Sequence, residues 1–269
     1  MNRTIFSKRG IALSVVSIAF ANVHVQAQNF AALVSPPRFE LRAKPGEKIR
    51  EVMEISNADA RAAKWHVRTA DWTFDKNANV TFYDALQPGS CRPWVAIEKK
   101  DVLLPSGAKY RYRFEVTPPA DAPDGECRFA MLIEGDEMAV QTPSGPAVPV
   151  VGRIGVIVYV TVGKGKPELE IVRSEVAKVG NEMMPVLMVK NTGNAHGRLS
   201  GFLSGTDASG KQFEFAPATF PILPGETRSI TLTVNQDKEM PVKIAYPLTI
   251  RGNLEWADKT VAFEHRFAP

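Results

Sequence analysis

The sequence of 269 residues contains 33 basic and 29 acidic residues, a formal net charge of +4 at pH 7. Three of the basic residues lie among the first nine positions, which leaves 33 − 3 = 30 basic against 29 acidic residues in the rest of the chain. A chain this close to neutrality gives no reason to expect nucleic acid or an anionic membrane surface as a partner. Without its first 27 residues the chain has 269 − 27 = 242, enough for two domains that each bury a core.

The N-terminal segment predicts a signal peptide. Arg3, Lys8 and Arg9 form a basic start with no acidic residue, and the apolar stretch Ile11–Val23 follows. That stretch is too short to span a bilayer, and it leads to small residues of the kind that signal peptidase recognises, ending at Ala27. We therefore expect residues 1–27 to be removed, the chain to be exported, and no stable membrane insertion. A buried N-terminal helix is the alternative interpretation.

The rest of the chain is rich in strand-forming segments. They combine β-branched and aromatic residues, and turn signals containing Pro, Gly or Asn separate them. The expected strands are Glu51–Ser56, Trp65–Phe74, Lys109–Val116, Arg153–Val162, Val186–Asn191, Arg228–Val234 and Tyr246–Ile250. No long stretch keeps a helical period with a cap. Short strands at this spacing predict an all-β protein built from immunoglobulin-like β-sandwiches.

The two cysteines of the chain are Cys91 and Cys127. In an exported protein, two cysteines favour a disulfide, which would stabilise the fold by roughly 3–4 kcal/mol in the chain-entropy treatment. A metal site and a catalytic thiol are the alternatives. The first would need more ligands, and the second a partner base that the sequence does not display nearby.

Two pairs of segments along the chain have similar sequence patterns. Val52–Ala60 and Val186–Ala195 are both apolar strands that end in asparagine and a polar turn. Leu103–Val116 and Ile222–Val234 both pass from a Pro-containing turn with glycine into an alternating strand. The repeated order predicts two β-sandwich domains of similar topology in tandem.

The expected boundary between these domains lies at the segment Gly163–Pro167. Its glycines and lysines suit an exposed hinge. We therefore predict an N-terminal immunoglobulin-like domain over residues 28–162 and a C-terminal one over residues 163–269.

The order of motifs after residue 30 resembles the N-terminal domain of PapD-like pilus chaperones. The residues that carry the resemblance are Arg38, Pro45–Gly46, the strand Val52–Asn57 and Trp72. Later blocks match in order, with a Leu-Pro-Ser-Gly turn before an alternating strand. The resemblance covers most of the chain after the leader, and it is close in the first domain and loose in the second. It rests on the order and spacing of the motifs and not on any single motif.

The resemblance implies a periplasmic chaperone of a chaperone–usher pathway. Such a protein binds pilin or fimbrial subunits by donor-strand complementation and passes them to an outer-membrane usher, and it is not an enzyme. Two alternatives stay open. One is an exported two-sandwich binding or matrix module without chaperone activity, and the other is a scaffold subunit that itself accepts a strand.

The expected donor strand lies within Gly145–Val162, which is long and β-rich. Val148 and Val150 share one face of it, and Pro149 between them suits an edge strand because it donates no ladder hydrogen bond. The alternative is an ordinary strand of the sandwich core. Arg153 has the opposite parity to the valines, so Gly152 would have to allow a twist or bulge.

The expected anchor for the client's C-terminal carboxylate is Arg38, whose guanidinium can form two charge-assisted hydrogen bonds. A solvated surface arginine is the alternative. In the family a lysine of the last strand assists, but Gly155 stands at its place here. Arg153, two residues earlier on the same strand face, is the expected substitute. The acidic-basic-acidic block of the family is also altered, to Asp124-Gly125-Glu126.

No other polar pattern suggests a catalytic or cofactor site. Three histidines follow the leader, widely spaced and without a metal-ligand pattern: His66, His196 and His265. No nucleophile motif or phosphate-binding loop stands out. We therefore expect no catalytic residue, no metal and no cofactor.

Overall fold

The computed structural model describes residues 30–75, 78–140, 145–235 and 243–269. The expected signal peptide, residues 1–27, lies outside the described residues. Within the described ranges, no helix has the length and apolar character needed to cross a bilayer.

The first half of the described chain forms twelve strands and one short 3-10 helix, Arg92–Trp94. The strands are β1 (Ala32–Ser35), β2 (Arg38–Ala43), β3 (Ile49–Asn57), β4 (Ala63–Phe74), β5 (Val80–Tyr83), β6 (Val95–Ile97), β7 (Asp101–Leu104), β8 (Lys109–Val116), β9 (Gly125–Gly135), β10 (Met138–Val140), β11 (Val148–Val150) and β12 (Arg153–Val162).

Two sheets pack face to face to form the first sandwich. One has the order β1-β3-β8-β6, and the other has the order β2-β12-β9-β4-β5, with β7 also paired to β4. Side chains alternate along each strand, so one face of each sheet is buried. The ring of Phe114 from the first sheet meets the rings of Phe39 and Phe129 from the second at centroid distances of 5.2 and 6.2 Å.

The structure divides the expected donor segment Gly145–Val162 into two strands. β11 pairs with β10 in a separate two-stranded sheet, whereas β12 lies between β2 and β9. The break falls at Val151 and Gly152, and the ring of Phe30 packs against the Gly152 backbone, where a Cβ would lie 2.2 Å from Cγ of that ring. Because Arg153 has the opposite parity to Val148 and Val150, the sequence predicts a twist or bulge between them. The structure has a full interruption of the strand there instead.

The second half of the described chain forms seven strands around its own core. They are β13 (Leu169–Val179), β14 (Glu182–Asn191), β15 (Leu203–Thr206), β16 (Gln212–Pro217), β17 (Thr227–Val234), β18 (Leu248–Trp256) and β19 (Lys259–Phe267). Their order is β13-β14-β17-β16-β15-β18-β19. The chain is thus all-β with two immunoglobulin-like sandwiches in tandem, as the sequence predicts, and the expected hinge Gly163–Pro167 falls between β12 and β13.

Two buried asparagines, Asn57 and Asn191, occupy equivalent positions in the two segments whose sequence pattern repeats. Each ends a strand, and its side-chain oxygen accepts a hydrogen bond from the N–H two residues later. Each amide nitrogen donates to the carbonyl four residues later and to a second carbonyl on a distant turn, that of Leu104 or Ile222. The same side chain therefore fastens the same turn in both domains.

Cys91 and Cys127 are disulfide-bonded, with a Cα–Cα distance of 5.3 Å. The bond joins the residue before the 3-10 helix to β9, and both cysteines are buried in the core of the first domain. It therefore fastens the start of β9, whose outward residues face the second domain.

Replacement of Asn57 or Asn191 by alanine should destabilise the domain that contains it. Each loses a set of buried hydrogen bonds and leaves carbonyls without a donor, at a cost of about 1–3 kcal/mol. Denaturant unfolding of both variants measures the effect. Asn253→Ala, at an exposed asparagine of β18, is the matched control and should change little; equal stability of all three variants would contradict the role of the turns.

The disulfide predicts that the unfolded, non-reduced protein isolated from an exporting host contains no free thiol. Thiol titration under denaturing conditions should give a value near zero, rising to two after reduction because both cysteines belong to the bond. A titration close to two thiols before reduction would refute the pairing in the exported protein.

Candidate functional site

The candidate site lies on the outer face of the β2-β12-β9-β4 sheet, which the second domain partly covers. In β2, Phe39 points into the core and Arg38 and Glu40 point outward. In β12, Val156 and Val158 are buried in the first-domain core, so the alternate residues face outward. Leu223 of the second domain packs in the apolar cluster on this outer face, so the face forms one wall of a cleft between the domains.

His196 joins the two domains at the end of the cleft. Its Nδ1 lies 2.5 Å from Oε2 of Glu126, and its backbone N–H donates to the same oxygen at 3.1 Å. Its ring stacks on Tyr159 at a centroid distance of 3.9 Å. The Glu126 side chain is only 1% exposed. Burial raises the pKa of Tyr159 to about 12, so its hydroxyl stays neutral at physiological pH.

The altered Asp124-Gly125-Glu126 block contributes to this same contact. Gly125 has a φ of +149°, a conformation that disfavours any residue with a side chain, and a Cβ there would lie 3.4 Å from the carbonyl oxygen of Asn194. The N–H of Glu126 donates to that carbonyl at 2.7 Å. Glycine at position 125 is therefore favoured by the backbone conformation at which this hydrogen bond between the domains forms.

A second contact between the domains involves Arg228 of β17. Its side chain is 2% exposed, donates from Nη1 to the carbonyl of Asp75 at 2.9 Å, and lies over the ring of Phe74 at 4.3 Å. The ring of Phe220 lies 6.3 Å from that of Phe74. The two domains are thus in contact at His196 and at Arg228.

Arg38 lies at the cleft and is about half exposed. Its Nε is 2.8 Å from Oε1 of Glu40, two residues along the same strand face. Nε of Arg198 and Nε2 of His196, both from the second domain, lie 3.5 and 3.6 Å from the same oxygen. The structure therefore brings Arg38 together with two groups from the second domain, neither of which the sequence predicts as part of the site.

Arg153 is not beside Arg38. Arg38 is aligned with Ile157 of β12, four residues beyond Arg153, which is about 13 Å along a strand. Arg153 instead pairs with Glu134 at 2.5 Å. Glu134 also accepts two hydrogen bonds from Arg68, which lower the pKa of its carboxyl below the ordinary value, and the charges of both arginines act in the same direction.

Gly155, where the resemblance to PapD-like chaperones leads us to expect a lysine, is covered by the ring of Phe82. A Cβ at Gly155 would lie 2.3 Å from Cζ of that ring. Phe82 packs there in the outer apolar cluster with Trp72 and Tyr159. An aromatic ring from β5 thus fills the space that a lysine stem would need, and the sequence gives no signal for this contact because β5 is far from β12 along the chain.

Val148 and Val150 are 46% and 42% exposed. Among the described residues β10 is the only partner of β11, so the other edge of β11 carries unpaired backbone groups. Among the described strands, β9 is also the only partner of β12 from Arg153 to Val156, because β2 joins only from Ile157 onward. An open strand edge with exposed valines therefore leads toward the cleft.

No metal-ligand cluster of three or more residues occurs in the described ranges. No protein-family description and no curated protein sequence matches the chain.

Solved structures similar to this chain include fimbrial chaperones. The class 5 fimbriae chaperone CfaA has a TM-score of 0.46 and 14% identity, with 88% of this chain and 99% of that chain covered. A chain of the CsuC–CsuE chaperone–tip adhesion subunit pre-assembly complex from Acinetobacter baumannii has a TM-score of 0.43 and 17% identity over the same shares. A chain of the Salmonella enterica SafA pilin–SafB chaperone complex has a TM-score of 0.45 and 12% identity, covering 89% of this chain and 98% of that chain.

Introduction of lysine at Gly155 should destabilise the protein, because the new side chain must displace the ring of Phe82. Overpacking of this kind costs about 1–3 kcal/mol. Removal of the ring in Gly155→Lys/Phe82→Ala should recover part of that cost, a coupling that a double-mutant cycle in denaturant measures.

Ala96→Lys, at an exposed position of β6, is the control and should keep the original stability. A Gly155→Lys variant as stable as this control would show that Phe82 does not fill the site.

Proposed function

We propose that this protein is an exported chaperone that binds pilin or fimbrial subunits by donor-strand complementation in the periplasm, before an outer-membrane usher assembles them. The observation that carries the proposal is the edge of β11 that pairs with no strand in the described part of the chain, where Val148 and Val150 are exposed. The order of motifs that resembles PapD-like chaperones supports it further.

The physical basis is the exposure of a sheet edge in the client. A subunit that lacks one strand leaves a hydrophobic groove with unpaired N–H and C=O groups, which favours aggregation. A strand lent by the chaperone supplies the ladder hydrogen bonds, and its alternate apolar side chains fill the groove. The short β11 and the free edge of β12 before Ile157 are the parts of this chain that suit such pairing.

Arg38 is the proposed anchor for the client's C-terminal carboxylate. It lies in the cleft, about half exposed, so a ligand can reach its guanidinium. Arg153 is proposed as a second cationic contact for the client. It lies at the start of β12 and near the valines rather than beside Arg38, so its contribution is expected to be the smaller one.

Replacement of both Val148 and Val150 by aspartate should abolish client binding and leave the fold intact. The new charges would enter the client's groove, at a cost of several kcal/mol when unpaired. Affinity purification from the periplasm, with mass spectrometry of the bound proteins, measures the loss.

Val172→Asp/Val179→Asp is the matched control, since these valines of β13 are 48% and 42% exposed. Retention of the client by the Val148/Val150 variant would sink the donor-strand proposal. A wild-type protein that binds a non-pilin surface component would favour the exported binding module instead.

Arg38→Ala should sharply reduce client recovery while the melting temperature changes little. A buried client carboxylate without its cationic partner loses roughly 3–5 kcal/mol. Arg38→Lys should restore binding only in part, because an ammonium lacks the two-pronged donor geometry. Arg153→Ala should reduce recovery less than Arg38→Ala.

Normal recovery of the client with Arg38→Ala would show that Arg38 is a solvated surface residue and not the anchor. A collapse of its melting temperature would make the role structural, so a melting curve accompanies each variant.

A further inference from the structure

Three nitrogen-bearing side chains converge on one carboxylate oxygen in the cleft. Arg38 of the first domain and Arg198 and His196 of the second approach Oε1 of Glu40 at 2.8, 3.5 and 3.6 Å. Glu40 belongs to β2, so the carboxylate comes from the first domain and two of its three neighbours come from the second.

Glu40 satisfies the two guanidinium groups only in part. Its distance to Arg38 is that of a charge-assisted hydrogen bond, whereas its distances to Arg198 and His196 exceed that range. Nε of Arg198 is buried and has no hydrogen-bond partner among the described residues. A buried N–H without an acceptor is costly, and it marks a place that an additional acceptor would stabilise.

Glu40 is tethered to β2, and its Oε1 lies within hydrogen-bond distance of Nε of Arg38 while it stays 3.5 Å from Nε of Arg198. A free carboxylate has no such restriction. Its two oxygens can accept from two guanidinium groups at once, the geometry for which arginine is preferred. Glu40 is about half exposed, so it can turn toward solvent without unfolding of the strand.

The space around the group can hold a ligand. A cavity of about 280 Å³ adjoins Glu40, His196 and Arg198, and it is also lined by Arg42 and Glu126, whereas Arg38 is not part of its lining. Glu126 contacts Nδ1 of His196, which leaves the arginines as the cations opposite Glu40. Displacement of Glu40 by a ligand carboxylate would therefore keep the number of negative charges at the cations unchanged.

We propose that Arg38 and Arg198 form a carboxylate-binding site that spans both domains, with the His196 ring beside it, and that Glu40 occupies the site as an internal placeholder in the free protein. The proposal rests on the proposed function in one respect, since the natural ligand would be the C-terminal carboxylate of the client. It assigns Arg198, rather than Arg153 or a lysine at position 155, as the second cation at that carboxylate.

Glu40 could act as a placeholder for the ligand, or it could only form a structural ion pair with Arg38. These two roles predict opposite effects of Glu40→Gln on the binding of a carboxylate. If Glu40 competes with the ligand, its neutralisation should strengthen binding of a carboxylate. If Glu40 only organises Arg38, its neutralisation should weaken that binding. The sign of the change therefore decides between them.

The probe is a synthetic peptide of alternating valine and serine that ends in phenylalanine, prepared with a free C-terminal carboxylate and as the C-terminal amide. A second form of the amide carries a terminal glutamate side chain and tests whether any carboxylate suffices. Binding to the full exported chain is measured by calorimetric titration. We expect the wild type to prefer the free acid by about tenfold, the value of one charge-assisted hydrogen bond.

Glu40→Gln should bind the free acid about tenfold more tightly than the wild type does and should leave binding of the plain amide unchanged. Arg198→Ala should lose the preference for the free acid, in the wild-type and in the Glu40→Gln background. Arg111→Ala, on the opposite sheet at an exposed position of β8, removes the same charge and should keep the preference. Melting curves identify any variant that is misfolded, and Arg198→Gln then replaces Arg198→Ala.

Absence of a free-acid preference in Glu40→Gln, with or without peptide binding, would overturn the site. Equal binding of the free acid and the amide that still requires Val148 and Val150 would overturn the carboxylate site while supporting strand pairing, so the two proposals fail separately. Tighter binding of the glutamate-bearing amide than of the free acid would assign the site to an acidic side chain and overturn the C-terminal role.

Discussion

The contact of His196 with Glu126 and Tyr159 is the interaction on which the cleft depends. A stacked imidazole, a carboxylate that is 1% exposed and a buried tyrosine tie the loop after β14 to the start of β9 and the middle of β12. Glu126 is adjacent to Cys127, whose disulfide fastens that part of β9. Because the second domain is held at this point, its Arg198 reaches the outward residues of β2, and the two domains share one polar group.

The chemical character of the cleft changes from charged to apolar along its length. At one end Arg38, Glu40 and Arg198 form a charged cluster, and the neighbouring wall is apolar, with Phe82 over Gly155 beside Trp72 and Tyr159. The space at Gly155 is thus taken by an aromatic ring, and the arginine that shares the Glu40 carboxylate with Arg38 comes from the other domain. A ligand that fits both regions would end in a carboxylate and present apolar groups just before it.

The strands, their turns and the tandem repeat follow from features that the sequence displays locally. Alternation identifies the buried faces of β3 and β8, and the asparagines at 57 and 191 repeat because the same turn needs the same hydrogen bonds. The position of Arg153 relative to Arg38 was not predictable, since it depends on the register of β2 against β12. Arg198, His196 and Phe82 were missed for the same reason. Their partners lie on strands far away in sequence, and no local pattern encodes such contacts.

The central claim is that a partner adds a strand beside β11 and ends in the cleft. The most direct test is the structure of the protein bound to the subunit that co-purifies with it from the periplasm. The account predicts an extended partner segment along Val148–Val150 and the free edge of β12, with its C-terminal carboxylate at Arg38 and Arg198 and the side chain of Glu40 turned away. A partner bound to the outer face of the β1-β3-β8-β6 sheet, with Arg38 still paired to Glu40, would contradict it.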